Sequence, residues 1–231
     1  MTVKIKYLLV LPCFNEAESL SILVPKLEDI LSHLTNLNVL LIDNGSTDKT
    51  AQLFDNYSSK MKNQRLFFMR KESNSGYGAG IKYGLQYFDS EVIIWSHSDL
   101  QCELNDVSRA IREFESANKI IVVKGRRRQR SLIDELISVL LSVTNLVVNK
   151  VWIPDINSQP NLIPRFLLPI DTPDDSTFEL FIFTKLKKSK ISIKRFDVNF
   201  PKRSFGNGFN EGIPKKMSFI KASIRTMLKS Y

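Results

Sequence analysis

The chain has 231 residues, of which 43% are hydrophobic and 25% charged, enough for one sizeable core and too apolar for a disordered polypeptide. Lysine and arginine exceed aspartate and glutamate by 33 − 24 = 9, a balance that favours anionic partners such as nucleotides or phospholipid surfaces. The two cysteines, Cys13 and Cys102, have no CxxC spacing, which excludes a disulfide framework and a cysteine zinc site and fits a reducing, cytoplasmic compartment.

Residues 4–11 read as a first strand ending at Pro12, and their apolar run, Tyr7 to Leu11, is too short for the apolar centre of a signal sequence. Asn15 is expected to cap a helix that carries Leu20, Leu23, Leu27, Ile30, Leu31 and Leu34 at helical spacing. Residues 38–42 read as a second core strand, and the polar turn 43–48 leads into a helix over 50–57. A third strand at 65–69 is followed by the glycine-rich residues 74–80 and a helix ending at Leu85. Val92, Ile93, Ile94, Trp95 and Ser96 make a fourth strand that runs straight into His97, Ser98, Asp99 and Gln101. A helix over 107–117 precedes a fifth strand at 120–123, expected to end in the basic run 124–130. Strands and helices alternating in this way predict an α/β layer sandwich, with ligands at the carboxyl ends of its strands.

After residue 130 the pattern changes. Residues 132–152 predict a long apolar helix whose uncharged part, about 14 residues, covers roughly 21 Å against a hydrocarbon core of about 30 Å. It is therefore expected to lie on a membrane or pack on the protein rather than span. A helix over 174–186, a strand over 191–200 and a glycine-rich loop over 203–212 follow. The tail 214–231 is a basic amphipathic helix with Met217, Ile220, Ile224, Met227 and Leu228 on one face and Lys216, Lys221, Arg225 and Lys229 elsewhere.

Asp43 and Asn44, at the end of the second strand, suit hydrogen bonding to a base or ribose, and equally suit a turn that caps the next helix. Arg126, Arg128 and Arg130 suit a lipid-linked phosphate, or a solvated loop. Nucleic acid is not an expected partner, because basic and aromatic residues do not interleave. The turn PCFNEAE lacks the glycines that a dinucleotide pyrophosphate requires.

The blocks LPCFNEAESL, LIDNGSTDKT, NSGYGAGIKYGL and SHSDLQ, in this order and spacing, resemble the four signature blocks of family 2 glycosyltransferases of the GT-A fold. The nearest branch is similar to dolichol- or polyprenyl-phosphate hexosyltransferases and to enzymes of bacterial surface-polysaccharide assembly. The resemblance is strong over residues 4 to 130 and weaker to 212. It implies one GT-A domain over 1–212, with a Rossmann-like, mixed, mostly parallel sheet flanked by helices. Residues 1–130 would be the nucleotide-sugar half, 131–212 the acceptor half with its amphipathic helix 132–152, and 213–231 a tail.

The implied activity is inverting, metal-dependent transfer of a hexose from a nucleotide diphosphate sugar to a membrane-borne acceptor, expected to be polyprenyl phosphate. A saccharide hydroxyl of a lipid-linked glycan and a degenerate, non-catalytic nucleotide-sugar-binding module are the alternatives. The resemblance places Pro12, Phe14, Asn15 and Glu16 at the base and ribose, Asp43 on the carboxylate that reads the base, and Asn44 where a second Asp is frequent. Gly76 and Gly78 fall in a loop close to the nucleotide. The metal-binding DXD motif falls on His97-Ser98-Asp99, which makes Asp99 the expected ligand of Mn²⁺ or Mg²⁺ and His97 either a second ligand or a hydrogen-bonding neighbour. Gln101 is implied near the donor phosphates, and Gln159 in a block, 155–160, that closes the sugar pocket or is a proline-bounded loop. Asp174, Asp175 and Glu179 fall where inverting relatives place the acceptor-side carboxylate; a hydroxyl acceptor would need Asp175 or Glu179 as general base, and otherwise these charges complement a helix N-terminus. Arg203 is implied to fold over the donor, in a loop that Gly206 and Gly208 free to close. The basic run and the tail imply peripheral attachment to an anionic membrane surface.

Overall fold

The computed structural model describes residues 5–60, 62–128, 130–201, 203–206 and 212–229; Lys4, Gln129, Gly208 and Tyr231 lie outside them. Seven strands form one sheet in the order β3-β2-β1-β4-β6-β5-β7. Four of them, β1 (Ile5–Cys13), β2 (Leu37–Asn44), β3 (Leu66–Lys71) and β4 (Ser90–Trp95), are mutually parallel. β5 (Ile121–Arg128) and β7 (Ser192–Asn199) run parallel to each other, and β6 (Asn161–Pro164) is antiparallel to both β4 and β5. The sheet is therefore mixed and mostly parallel, as the family resemblance implies.

Period-2 alternation divides its side chains between two cores. Leu9, Leu11, Val39, Leu41 and Ile94 face α1 (Ala17–His33), α2 (Thr50–Lys60) and α4 (Leu104–Glu115). Leu8, Val10, Leu40, Ile42, Ile93 and Trp95 face α3 (Tyr77–Leu85), α5 (Leu132–Asn149), α6 (Phe178–Lys188) and α7 (Ile213–Lys229). A sheet covered on both sides explains why its central strands read as continuous apolar runs.

Five local expectations are corrected. Asn15 does not cap α1: its φ of 56° turns the chain, and Glu16 takes the cap position without a side-chain bond. β6 escapes sequence reading because four residues ending at a proline carry no period. β5 does not stop at Val123 but continues to Arg128, so most of the basic run is strand, paired residue by residue with β7. α6 begins at Phe178, which leaves Asp174 and Asp175 in the preceding turn. The apolar helix expected over 132–152 ends at Asn149; this α5 has 18 residues and, by length and composition only, is long and apolar enough to cross a membrane. Its buried residues are Leu141, Ser142, Asn145 and Asn149, and it packs beside α7, where Asn149 Nδ2 donates to Met227 O at 3.0 Å.

Candidate active site

The parallel register brings the ends of β1, β2 and β4 to one edge: Cys13 lies opposite Asp43, and Val10 opposite Trp95. The loops that leave this edge are tied together. Asn15 N donates to Ser46 Oγ at 2.9 Å, Glu16 N to Thr50 Oγ1 at 2.9 Å, and Thr47 N to Asn15 Oδ1 at 2.8 Å. Ser98 Oγ donates to Pro12 O at 2.8 Å, which joins the β4 turn to the β1 turn. Phe14 stands exposed at the tip.

Asp43 is buried. Its Oδ1 accepts from Ser46 N at 2.9 Å, and its Oδ2 lies 3.4 Å from Arg70 Nε, so the carboxylate both builds the turn and meets a cation of β3. Asn44 Nδ2 donates to Gly76 O at 2.8 Å and Asn74 Oδ1 at 3.3 Å, holding the loop before α3. Gly76 has φ +110° and, like Gly78, lies against the 172–175 segment: an added Cβ would meet Asp174 O or Pro173 O at 2.3 Å. Close approach of backbone to backbone is sufficient reason for both glycines.

Arg203 closes the edge. Its guanidinium bonds Glu16 Oε1, lies 3.7 Å from Asp99 Oδ2, and donates through Nε to Phe205 O at 2.6 Å. Burial raises the Glu16 carboxyl above its ordinary range despite the opposing Arg203 charge and the Ser19 hydrogen bond. Asp99 Oδ1 accepts from Gln101 N at 3.0 Å, and the Gln101 amide reaches Pro201 O at 2.9 Å. A cleft of about 260 Å³ beside this cluster is lined by Asn15, Glu16, Asp48, Lys49, Phe205 and Gly206 among others. A larger depression, about 460 Å³, lies at the opposite edge, where β5 and β7 begin, away from these groups.

His97 is half-buried, with its ring 6.0 Å from Tyr77 and 6.4 Å from Phe200. Among the described residues no three His, Cys, Asp or Glu side chains converge as a metal-binding set. Asp99 and His97 thus fit only an ion whose coordination is completed by substrate oxygens, the way Mg²⁺ is commonly held through one or two carboxylates plus phosphates.

The basic run is dispersed. Arg126 Nε and Arg128 Nη2 both meet Asp197 of β7, the latter at 2.8 Å, and each is about half exposed. Arg127 and Arg130 turn inward onto Asp155, at 2.5 Å and 3.2 Å, and Arg130 also donates to Asp134 O and Ser138 Oγ of α5. The structure therefore brings Arg126 and Arg128 together and places Arg130 elsewhere. Arg127 stacks over Phe200, 5.1 Å from its centroid, which links the end of β5 to His97.

In the turn before α6, Asp175 is exposed, and its Oδ1 accepts from Thr177 N at 2.8 Å and Thr177 Oγ1 at 2.5 Å. Glu179 is buried; its Oε1 accepts from Trp95 Nε1 at 2.9 Å, Gln159 Nε2 at 2.7 Å and Asn161 Nδ2 at 3.2 Å. Sequence reasoning missed Tyr77, whose hydroxyl accepts from Gln159 Nε2 at 2.5 Å, and Lys124, fully buried and bonded to Ser158 O and Asn161 Oδ1. Lys124 was hidden inside a run of surface-like cations; the apolar strand just before it was the available signal.

Comparison with known proteins agrees with this architecture. The chain is 23% identical over 219 residues to undecaprenyl-phosphate 4-deoxy-4-formamido-L-arabinose transferase of Photorhabdus laumondii, covering 94% of this chain and 64% of that one. A protein of the same name from Pseudomonas fluorescens is 29% identical over 128 residues, 54% of this chain and 37% of its own length. This chain thus spans less than two thirds of these relatives. Among solved structures, glucosyl-3-phosphoglycerate synthase from Mycobacterium tuberculosis, in complex with Mn²⁺, UDP and glucosyl-3-phosphoglycerate, has a TM-score of 0.73 at 16% identity over 97% of this chain and 79% of that one. A mannosyltransferase from Pyrobaculum calidifontis in complex with GDP-Man and Mn²⁺ has a TM-score of 0.64 at 15% identity, over 99% and 73%. The fold is therefore that of GT-A glycosyltransferases, and the model of "Glycosyl transferase family 2" matches residues 8–186, so this chain belongs to glycosyl transferase family 2.

Proposed function

We propose that the chain is an inverting, metal-dependent glycosyltransferase that moves a hexose from a nucleotide diphosphate sugar to polyprenyl phosphate at a membrane surface. The observation that carries this reading is the convergence of Asp43, Glu16, Asp99 and Arg203 on one sheet edge, in a family 2 chain whose relatives are undecaprenyl-phosphate sugar transferases. Asp43 and the β1 turn, with Phe14 exposed beside them, hold the nucleoside. Arg203 supplies a fixed positive charge for the diphosphate, and Gln101 anchors its own turn to the Arg203 loop through Pro201. A divalent ion held by Asp99 and His97 would neutralise charge on the departing diphosphate.

Arg126 and Arg128, half exposed at the end of β5, are the cations that would meet an acceptor phosphate, whereas Arg130 turns onto Asp155. A phosphate monoester is already ionised and needs no strong base. For a saccharide hydroxyl, Asp175 is, of the two general-base candidates Asp175 and Glu179, the one that reaches solvent. Membrane contact is supported by the exposed Leu136, Val139, Leu140, Val143 and Val147 of α5 and Met217, Ile224 and Leu228 of α7, with lysines beside them. Anionic vesicles should sediment the protein at low ionic strength and release it in salt.

The test is transfer of labelled sugar from UDP-, GDP- and dTDP-sugars to short-chain polyprenyl phosphate, with Mn²⁺ or Mg²⁺. Organic-phase label from one donor is expected, and no product from any of them would refute the reading.

A further inference from the structure

We propose that Glu179 is a positioning residue, which fixes the His97–Asp99 turn and Tyr77 through Trp95 and Gln159, and does not itself accept a proton from the acceptor. The inference rests on the transferase reading above and goes beyond it by assigning this buried carboxylate a task. Glu179 lies in the first turn of α6, is 2% exposed, and points at the sheet. Its Oε1 gathers donors from three separate segments: Trp95, the last residue of β4; Gln159, in the 155–160 loop; and Asn161, the first residue of β6.

Two of these donors lead to the site. Trp95 is followed directly by Ser96, His97, Ser98 and Asp99, so the indole bond anchors the root of the turn. The same Gln159 Nε2 that bonds Glu179 also bonds the Tyr77 hydroxyl, and the Tyr77 ring lies 6.0 Å from His97. One oxygen thus ties both sides of His97 to α6. A carboxylate taken out of water in this way requires compensation. Lys124 provides it from β5: its ammonium is buried, bonded to Asn161 Oδ1 at 3.0 Å and Ser158 O at 2.8 Å, and sits 4.2 Å from the Phe183 ring centroid. Burial pulls the Lys124 pKa down to about 7, and Glu179 is the largest influence opposing that fall.

Substitution separates positioning from base catalysis, because Oε2 of Glu179 has no hydrogen-bond partner among the described residues and can be changed without removing the acceptor of the three donors. Glu179→Gln keeps one carbonyl oxygen for all three donors and changes only the unpartnered atom. A positioning role predicts a kcat within about fivefold of wild type and an unchanged pH profile for Glu179→Gln. Glu179→Leu, which removes the acceptor, should lose about 10²-fold in kcat with a smaller change in donor KM. A general base would lose about 10²-fold or more in both variants.

A second measurement does not depend on activity. In Trp152→Phe, Trp95 is the one remaining tryptophan, and its indole N–H should exchange with solvent equally slowly with or without Glu179→Gln, and at least tenfold faster with Glu179→Leu. A Gln variant that is folded but inactive, or an indole whose exchange is the same in a folded Leu variant, would overturn the proposal. If wild type transfers no sugar to any acceptor, the functional reading fails, and the indole exchange alone decides this one.

Discussion

The two halves of the sheet treat polar groups in opposite ways. In β2, β1 and β4 the strand interiors are aliphatic, with Leu8 to Leu11, Leu40 to Ile42 and Ile93 to Ile94 all fully buried, and the polar residues wait for the strand ends. There Asn15, Ser46, Thr47 and Thr50 lace the loops by short local bonds. In β6-β5-β7 the polar groups are inside: Lys124, Ser158, Gln159, Asn161 and Glu179 are all at most 2% exposed and bond one another across elements. The first arrangement stabilises by burial and keeps its chemistry at the rim. The second makes the order of the site depend on buried bonds that are expensive to leave unmade.

The largest expected effect separates rim from interior. Asp99→Asn keeps the acceptor for Gln101 N but removes the charge that faces Arg203. Sugar transfer should fall by about 10³-fold, roughly 4 kcal/mol of barrier, with little change in melting temperature. A variant within tenfold of wild type would mean that Asp99 is not part of the diphosphate site.

Asp155→Ala should do the reverse, damaging stability first. Burial pushes the Asp155 carboxyl up, but the charges and hydrogen bonds of Arg127 and Arg130 outweigh it and hold the group below its ordinary range. Its removal leaves two guanidiniums, 12% and 11% exposed, without their counter-charge. Breaking such a pair costs about 3 kcal/mol, which for a chain of this size lowers the melting temperature by roughly 6–12 °C. A drop below 2 °C would show that the arginines find other partners.

The smallest effect concerns Lys124. Its pKa in the fold, about 7, lies below its ordinary value, so above pH 7 the folded state holds fewer protons than the unfolded chain and stability rises with pH. Glu179 and Asp155 oppose the shift, while Arg195 and Arg127 add to it. Between pH 7 and about 8.5, below the ordinary range of the two buried thiols, this contributes on the order of 1 kcal/mol. Denaturant titrations should show that slope in wild type and lose it in Lys124→Met. An equal slope in both would place the titration elsewhere.

The rim was legible because its signals are local. Five apolar residues ending in a proline, or an Asp-Asn-Gly turn after an apolar run, specify a strand and its exit whatever surrounds them. The same reasoning failed at Arg126 to Arg130, because charge reads as solvent exposure until a partner strand is known. Backbone pairing with β7 makes Arg126 to Arg128 part of a sheet, and Asp197 and Asp155, 71 and 28 residues from Arg126 and Arg127, take up their charge. Glu179 reads beside Asp174 and Asp175 as one acidic cluster, whereas those two lie in the turn before α6 and only Glu179, in the first turn of the helix, is carried into the core.

What the sequence determined by itself is the alternation of elements, the family blocks and the edge at which Asp43, Asp99 and the β1 turn must meet, since strand period and turn chemistry are properties of adjacent residues. Tertiary structure alone decided that Arg203 would lie against Glu16 and Asp99, that Lys124 would be buried, and that one oxygen of Glu179 would join Trp95, Gln159 and Asn161. Those arrangements depend on which distant groups share a desolvated space, and no local pattern encodes that.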